Sequence, residues 1–132
     1  MNQNDIDDLI RREADAIGIS RDLAMAIATR ESKRNPLEIG DNGQALGIFQ
    51  IHPDAASEIG LDWNALNDAI AAGDTPTAAG IGVRGIEYFA KMVKLFGGDI
   101  HLALMAYNQG PGVISRANTY ANSVLALSKP TT

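Results

Sequence analysis

AIATRESKRNP, residues 26–36, decides how the rest of the chain is read. Leu23, Ile27 and Glu31 recur at i, i+4 and i+8, so they share one face of a helix. A globular helix normally buries that face, so a carboxylate stands where the core should be. Arg30, Lys33 and Arg34 occupy other angular positions and do not obviously neutralise it. Against an apolar wall the charged form of an acid is disfavoured and its pKa rises. Such a group holds a proton near neutral pH and can give it to a leaving oxygen. The competing reading is a surface acid at a helix end paired with Arg30 or Lys33, the usual situation of a glutamate.

On the N-terminal side of this stretch, Ser20 suits the start of the helix and Pro36 lies at or just beyond its end. An earlier helix is expected from Asn4 as N-cap, with Asp5, Asp7 and Asp8 against its dipole. Ile6, Leu9, Ile10, Ala14 and Ile17 form its apolar face, and Gly18 stops it. On the C-terminal side, NPLEIGDNGQALG (35–47) reads as a structured loop with tight turns. GIFQI (47–51) fits a strand or the start of a helix, and Pro53 opens a short helix ending near Gly60. Residues 61–74 hold the only tryptophan, Trp63.

Thr75 and Pro76 suit the N-cap and first position of a long helix to Phe96, carrying Ala79, Val83, Ile86, Ala90 and Val93. Gly80, Gly82 and Gly85 inside it each cost roughly 1 kcal/mol relative to Ala. Close packing against another helix, or a later start near residue 83, would explain them. Asp99 caps the next helix, AYNQGPG (106–112) reads as a loop, and a final helix is expected over 113–126. The expected architecture is all-α: about six helices with little or no β-structure. One domain is expected over 1–132, with an N-terminal helix at 1–19, a core at 20–127 and a tail at 128–132.

Composition narrows the function. The chain has 132 residues, 45% of them hydrophobic and 20% charged, which suits a globular domain rather than disorder. It has no cysteine, so disulfides and Cys-based zinc sites are excluded. A formal net charge of -5 without a Lys/Arg cluster argues against nucleic acid or an anionic membrane surface as the main partner. No apolar run approaches the ~20 residues of a membrane span. MNQNDIDDLIRRE has no apolar h-region, so an intact secretory signal is not expected. The chain would then act where it is made, ride in a larger assembly, or be trimmed from a longer protein.

Glu31-Ser32, Asn35-Pro36, Gly43, Gly47-Ile48-Phe49-Gln50-Ile51 and Pro53 form one block of motifs. Gly85 and Tyr88, Phe96-Gly97-Gly98-Asp99, and Ala106-Tyr107-Asn108-Gln109-Gly110-Pro111-Gly112 form the rest. In this order and spacing, over about residues 20–117, the chain resembles the soluble lytic transglycosylase family of the lysozyme-like superfamily. Phe49 replaces the family's usual Met, an apolar swap at a sugar-facing wall. The loop before Gly47 is one residue longer than the commonest form. Ile81-Gly82 stands where an Asn-Ile pair usually opens the long helix.

The resemblance implies cleavage of the MurNAc-β-1,4-GlcNAc bond of peptidoglycan with one catalytic acid, Glu31, and no cofactor or metal. That acid would protonate the glycosidic oxygen. The substrate's own 2-acetamido group would stabilise the cationic centre, and the carboxylate would then take the C6 hydroxyl proton, closing a 1,6-anhydro ring. It also implies substrate contacts from Ser32, Gly47, Phe49, Gln50, Tyr107 and Asn108, with the Tyr107 hydroxyl close to Glu31. From the residues alone, Gln50 is equally a loop-satisfying core amide, Tyr107 a half-buried core tyrosine, Asn108 a loop residue and Ser32 a helix-end cap.

Most glycosidases use two carboxylates. A goose-type lysozyme-like hydrolase would need a second one, for which Asp41 and Glu38 are the candidates, although Asp41 before Asn-Gly is already explained as a turn residue. A non-catalytic peptidoglycan-binding module would be expected to lack the acid. His52 and His101 read as ordinary surface or core histidines, and Asp41-Asn42-Gly43 lacks calcium-loop spacing. Trp63 reads as core or rim rather than a sugar platform. The glycines at 80, 82 and 85 follow no strand and imply no nucleotide. The resemblance further suggests a phage-borne wall-degrading module, carried in a virion or released at lysis, or a trimmed bacterial secretion or wall-remodelling enzyme. Either would act at the cell wall.

Overall fold

A computed structural model describes residues 1–110 and 119–128. Helix α1 (Gln3–Ile17) begins at Asn2 rather than Asn4. The Asn2 side chain accepts from the Asp5 N–H at 3.0 Å, and the Asp5 carboxylate accepts from the Asn2 N–H at 2.9 Å. This reciprocal capping box satisfies two end donors at once, which Asn4 inside the first turn could not do. Gly18, at φ 77°, closes the helix as expected.

Helix α2 (Arg21–Ser32) starts at Ser20, also as expected, and ends without a glycine. Lys33 and Arg34 both take left-handed backbones, at φ 55° and 59°, so that their N–H groups reach Thr29 and Ala28 carbonyls. Ile39–Gly40 (β1) then pairs antiparallel with Ala45–Leu46 (β2) across a 3-10 turn at Asp41–Gly43. GIFQI is neither strand nor helix. It is a turn closed by the Leu46 and Ile51 backbones, with Gly47 at φ 76° and Gln50 at φ 50°.

Helix α3 (Pro53–Glu58) starts at its proline, α4 (Trp63–Ala71) is capped by Asp62, and α5 (Thr75–Gly82) is capped by Asp74 rather than Thr75. The Asp74 carboxylate takes both the Thr77 N–H and its hydroxyl, which fixes the start one residue early. The expected long helix to Phe96 tightens into a 3-10 turn at Val83–Gly85 and resumes as α6 (Ile86–Leu95). Gly85 answers to the GIFQ turn, and Gly82 to that turn and to Leu66 of α4, so close packing against another helix holds for Gly82. A Cβ on Gly85 would sit 3.0 Å from the Phe49 Cβ, and one on Gly82 would meet the Ile48 nitrogen at 3.7 Å.

Asp99 caps α7 (Ile100–Gln109), which runs through Tyr107 and Asn108 instead of stopping at AYN. Helix α8 (Thr119–Ser128) carries the helix past residue 126, so Ser128 belongs to it and not to a tail. The expected start of that helix at 113, the Pro111-Gly112 end of the last motif and residues 129–132 lie outside the described residues. Eight α-helices are present among the described residues, more than the expected six. The 75–96 run divides, and 53–58 and 63–71 are each helical.

Helix α2 is the centre. It packs on α1 and α8; α8 packs on α7, and α7 on α6. Ala24 and Ala28 on α2, Ala103 and Ala106 on α7, and Ala121 on α8 are fully buried, and these small side chains let the axes approach. Leu23, Ala24, Ala26, Ile27 and Ala28 bury more than one face of α2, and Glu31 emerges at the end of this buried rod.

Candidate active site

Glu31 opens into a cavity of about 330 Å³ lined also by Asp41, Gln50, His52, Tyr88, Tyr107 and Asn108. The acid is held from α8, because the Tyr120 hydroxyl donates to Glu31 Oε2 at 2.6 Å. Tyr120 is itself buried, with the Arg30 guanidinium 5.5 Å from its ring centroid. Arg30 Nε also donates to Ser123 Oγ at 3.1 Å, so it is turned towards α8. Burial pushes the Glu31 pKa up; the Tyr120 hydrogen bond, the Arg30 charge and His52 when it is protonated work against that rise without cancelling it. Tyr120 engages one carboxylate oxygen, Oε2. The expectation that the apolar stripe of α2 delivers an acid with a raised pKa agrees with this geometry.

Three tyrosines floor the site. Tyr107 lies 5.9 Å from Tyr88 and stacks at 6.4 Å on Tyr120, centroid to centroid. Phe89 meets Tyr107 edge-on at 6.0 Å. The Tyr107 hydroxyl donates to the Phe49 carbonyl at 2.6 Å, so its bond is to the GIFQ turn and not to Glu31. Burial, then the Glu31 charge, hold the Tyr107 pKa far above its ordinary value, so its proton stays in that bond.

Several sequence candidates prove to be supports. Phe49 is 1% exposed, and its ring belongs to the core beneath the cleft rather than to a sugar-facing wall. Ser32 is buried and its hydroxyl donates to the Ile48 carbonyl at 2.7 Å, while its oxygen accepts from the Asn35 N–H at 3.2 Å. It ties the end of α2 to the GIFQ turn and is not placed to meet substrate. Gly47 is buried with a left-handed backbone, and its N–H donates to Glu38 O at 2.8 Å; its role is the turn.

Gln50 both serves the loop and lines the cavity. Its Nε2 donates to the Gly47 carbonyl at 3.0 Å and to Glu38 O at 3.2 Å. A side chain on Gly40 would collide with Gln50 Oε1. Asn108 is exposed on the last turn of α7 and lines the cavity. Trp63 Nε1 donates to the Gln44 and Ile51 carbonyls, each at 3.2 Å, and pins the loop. Glu38 takes a 3.3 Å bond from Asn35 Nδ2 beside the loop.

Three site residues escaped the sequence reading. Tyr120 lies 89 positions from Glu31, on a stripe that reads as core; the signal available was that a buried tyrosine hydroxyl needs a partner. Tyr88 was noted only as part of a motif, yet it lines the cavity. His52, read as an ordinary histidine, also lines it, with Nε2 2.6 Å from Asp41 Oδ2.

A helix-borne carboxyl group thus stands at a polar cleft backed by a short hairpin. The fold is similar to that of the lytic transglycosylase Slt from Pseudomonas aeruginosa, solved as an inactive Glu-to-Gln mutant. The TM-score is 0.70 at 21% identity, over 90% of this chain and 22% of that one. Residues 8–126 match the family model of the transglycosylase SLT domain, and the chain belongs to that family. It is also 31% identical, over 126 residues, to the peptidoglycan transglycosylase gp16 of Escherichia phage T7, matching 91% of this chain and 9% of that protein. The chain thus spans only a small part of the length of these two relatives.

Proposed function

We propose that this domain cleaves the glycan strands of peptidoglycan as a lytic transglycosylase, with Glu31 as its acid and base. The observation that carries the reading is a carboxyl group with a raised pKa, set at the end of a buried helix and opening into a sugar-sized cleft. Protonated Glu31 gives its proton to the glycosidic oxygen and the C1–O bond breaks. The 2-acetamido group of the same muramic acid stabilises the cationic carbon. The carboxylate then removes the C6 hydroxyl proton and the C6 oxygen closes onto C1. The same group serves both steps, so the chemistry needs one acid and no cofactor.

Gln50 Oε1, the Tyr88 hydroxyl and Asn108 are the polar groups available to fix sugar hydroxyl and acetamido groups. Tyr107, with its hydroxyl committed, supplies a ring and holds the turn. The T7 relative is named as a phage peptidoglycan transglycosylase, which favours a phage-borne wall-degrading module, in a virion or acting at lysis, over a bacterial enzyme.

Digestion of purified peptidoglycan followed by mass spectrometry of the muropeptides tests the reading. Ends lighter by one water, the 1,6-anhydro form, are expected from the wild-type domain and not from Glu31→Gln. New reducing ends alone would overturn it, as would continued cleavage by Glu31→Gln.

A further inference from the structure

The wall of the cleft away from α8 carries a second acid–base arrangement that the transglycosylase reading leaves idle. His52 and Asp41 both line the cavity that holds Glu31. Their Nε2–Oδ2 distance of 2.6 Å is that of a hydrogen-bonded pair, and a carboxylate there selects the tautomer with the proton on Nε2. The Nδ1 lone pair is then free to accept a proton, and among the described residues no hydrogen bond to it is recorded. His52 occupies the N-cap position of α3 without using its side chain as a cap. Asp41 is held in a left-handed backbone, φ 49°, unusual for a residue with a side chain, and in that conformation its carboxylate reaches His52. Side-chain exposures of 47% and 63% keep the pair in contact with water.

We propose that the Asp41–His52 pair activates a water molecule against the same anomeric carbon, so that this site hydrolyses a fraction of the bonds it cuts. The inference rests on the transglycosylase reading for the first step. Glu31 gives its proton to the glycosidic oxygen and the C1–O bond breaks. The water oxygen bonds to C1, and its proton passes to His52 Nδ1, with the Asp41 carboxylate hydrogen-bonded to the opposite ring nitrogen. That proton then leaves to solvent, and Glu31 takes one up, so both groups return to their starting states. The product is a reducing muramic acid end in place of the anhydro ring. A base oriented by a carboxylate, lining the same cavity as an acid, is the equipment for adding water to a glycosidic carbon.

The experiment is a digest of sacculi whose existing reducing ends have been borohydride-reduced beforehand, with anhydro and newly formed reducing ends counted by mass spectrometry in one sample. Wild type is expected to give both. His52→Gln and Asp41→Asn are expected to lower the ratio of reducing to anhydro ends by about tenfold or more, the scale of a lost general base. The ratio is read within one digest, so partial loss of folded enzyme does not imitate the effect. Anhydro ends without new reducing ends from wild type would overturn this inference and leave the transglycosylase reading standing. An unchanged ratio in both variants would also overturn it. Absence of anhydro ends would overturn the transglycosylase reading instead.

Discussion

On one side of the cleft, Glu31 and Tyr120 stand on α2 and α8, regular helices that meet through buried small and β-branched side chains. On the other, Asp41, Gln50 and His52 stand on residues 39–52, where Asp41, Asn42 and Gln50 hold φ of 49°, 54° and 50°. A left-handed backbone costs a residue with a Cβ roughly 1–2 kcal/mol. The loop side is therefore held in place from outside: by Ser32 on the Ile48 carbonyl, Trp63 on the Gln44 and Ile51 carbonyls, and Tyr107 on the Phe49 carbonyl. The difference teaches how labour is divided. Rigid packing fixes the Glu31 carboxyl group, while a strained and braced turn aims the polar groups that line the cavity opposite it.

The largest effect is expected where the helical side places charge in a poor environment. Glu31→Gln should lower turnover by on the order of 10²–10⁴, the range of a lost general acid. It should also stabilise the fold at neutral pH. The folded pKa of Glu31 is raised, so the stability it contributes is fully present below its unfolded value and is lost as pH rises through the folded value. The variant should thus melt above wild type near pH 7.5, and the gap should close by about pH 4, near the unperturbed glutamate value. Equal melting temperatures at both pH values would mean the carboxylate is better solvated than its burial implies.

Next comes the brace between the two sides. Ser32→Ala leaves the buried Ile48 carbonyl without its 2.7 Å donor and should destabilise by about 1–3 kcal/mol in urea unfolding. A loss within a few tenths of a kcal/mol would show that the turn stands without α2. Tyr120→Phe is smaller and lies wholly on the helical side. It removes a bond that lowers the Glu31 pKa, so that pKa rises further. In the proposed mechanism cleavage needs protonated Glu31, so the alkaline limb of the pH–rate profile should move to higher pH, with the maximal rate down about tenfold as the carboxylate loses its anchor. A shift of that limb to lower pH would reverse the assigned sign.

The contrast between the two sides also explains what was legible. Helix starts at Ser20, Asp99 and Pro53, the stop at Gly18 and the inward placement of Glu31 follow from spacing and capping chemistry, which are local. GIFQI resisted reading because its register is set by Gln50 taking φ 50° and by carbonyls satisfied from Ser32 and Tyr107, none of which periodicity records. Phe49 was placed at the sugar because its motif faces the cleft, yet Gly85 opens a space behind the turn that draws the ring into the core. Tyr120 meets Glu31 from 89 positions away, so only the fold brings them together, and the Asp41–His52 pair closes within one loop whose left-handed residues no periodicity records.

The smallest effect discriminates most finely between the two sides, because one substitution type should change sign across the cleft. Ala126 is exposed on α8, where glycine adds backbone freedom to the unfolded chain and removes nothing else of weight; Ala126→Gly should cost up to about 1 kcal/mol. Asn42 is exposed at φ 54°, a conformation glycine adopts without a Cβ penalty, so Asn42→Gly should stabilise, by only a few tenths of a kcal/mol because asparagine already tolerates that region. Urea midpoints measured in parallel would resolve opposite shifts. If Asn42→Gly instead destabilises as Ala126→Gly does, the loop side carries no backbone strain at that residue. The aim of Asp41 beside it would then have to be attributed to its bond with His52 alone.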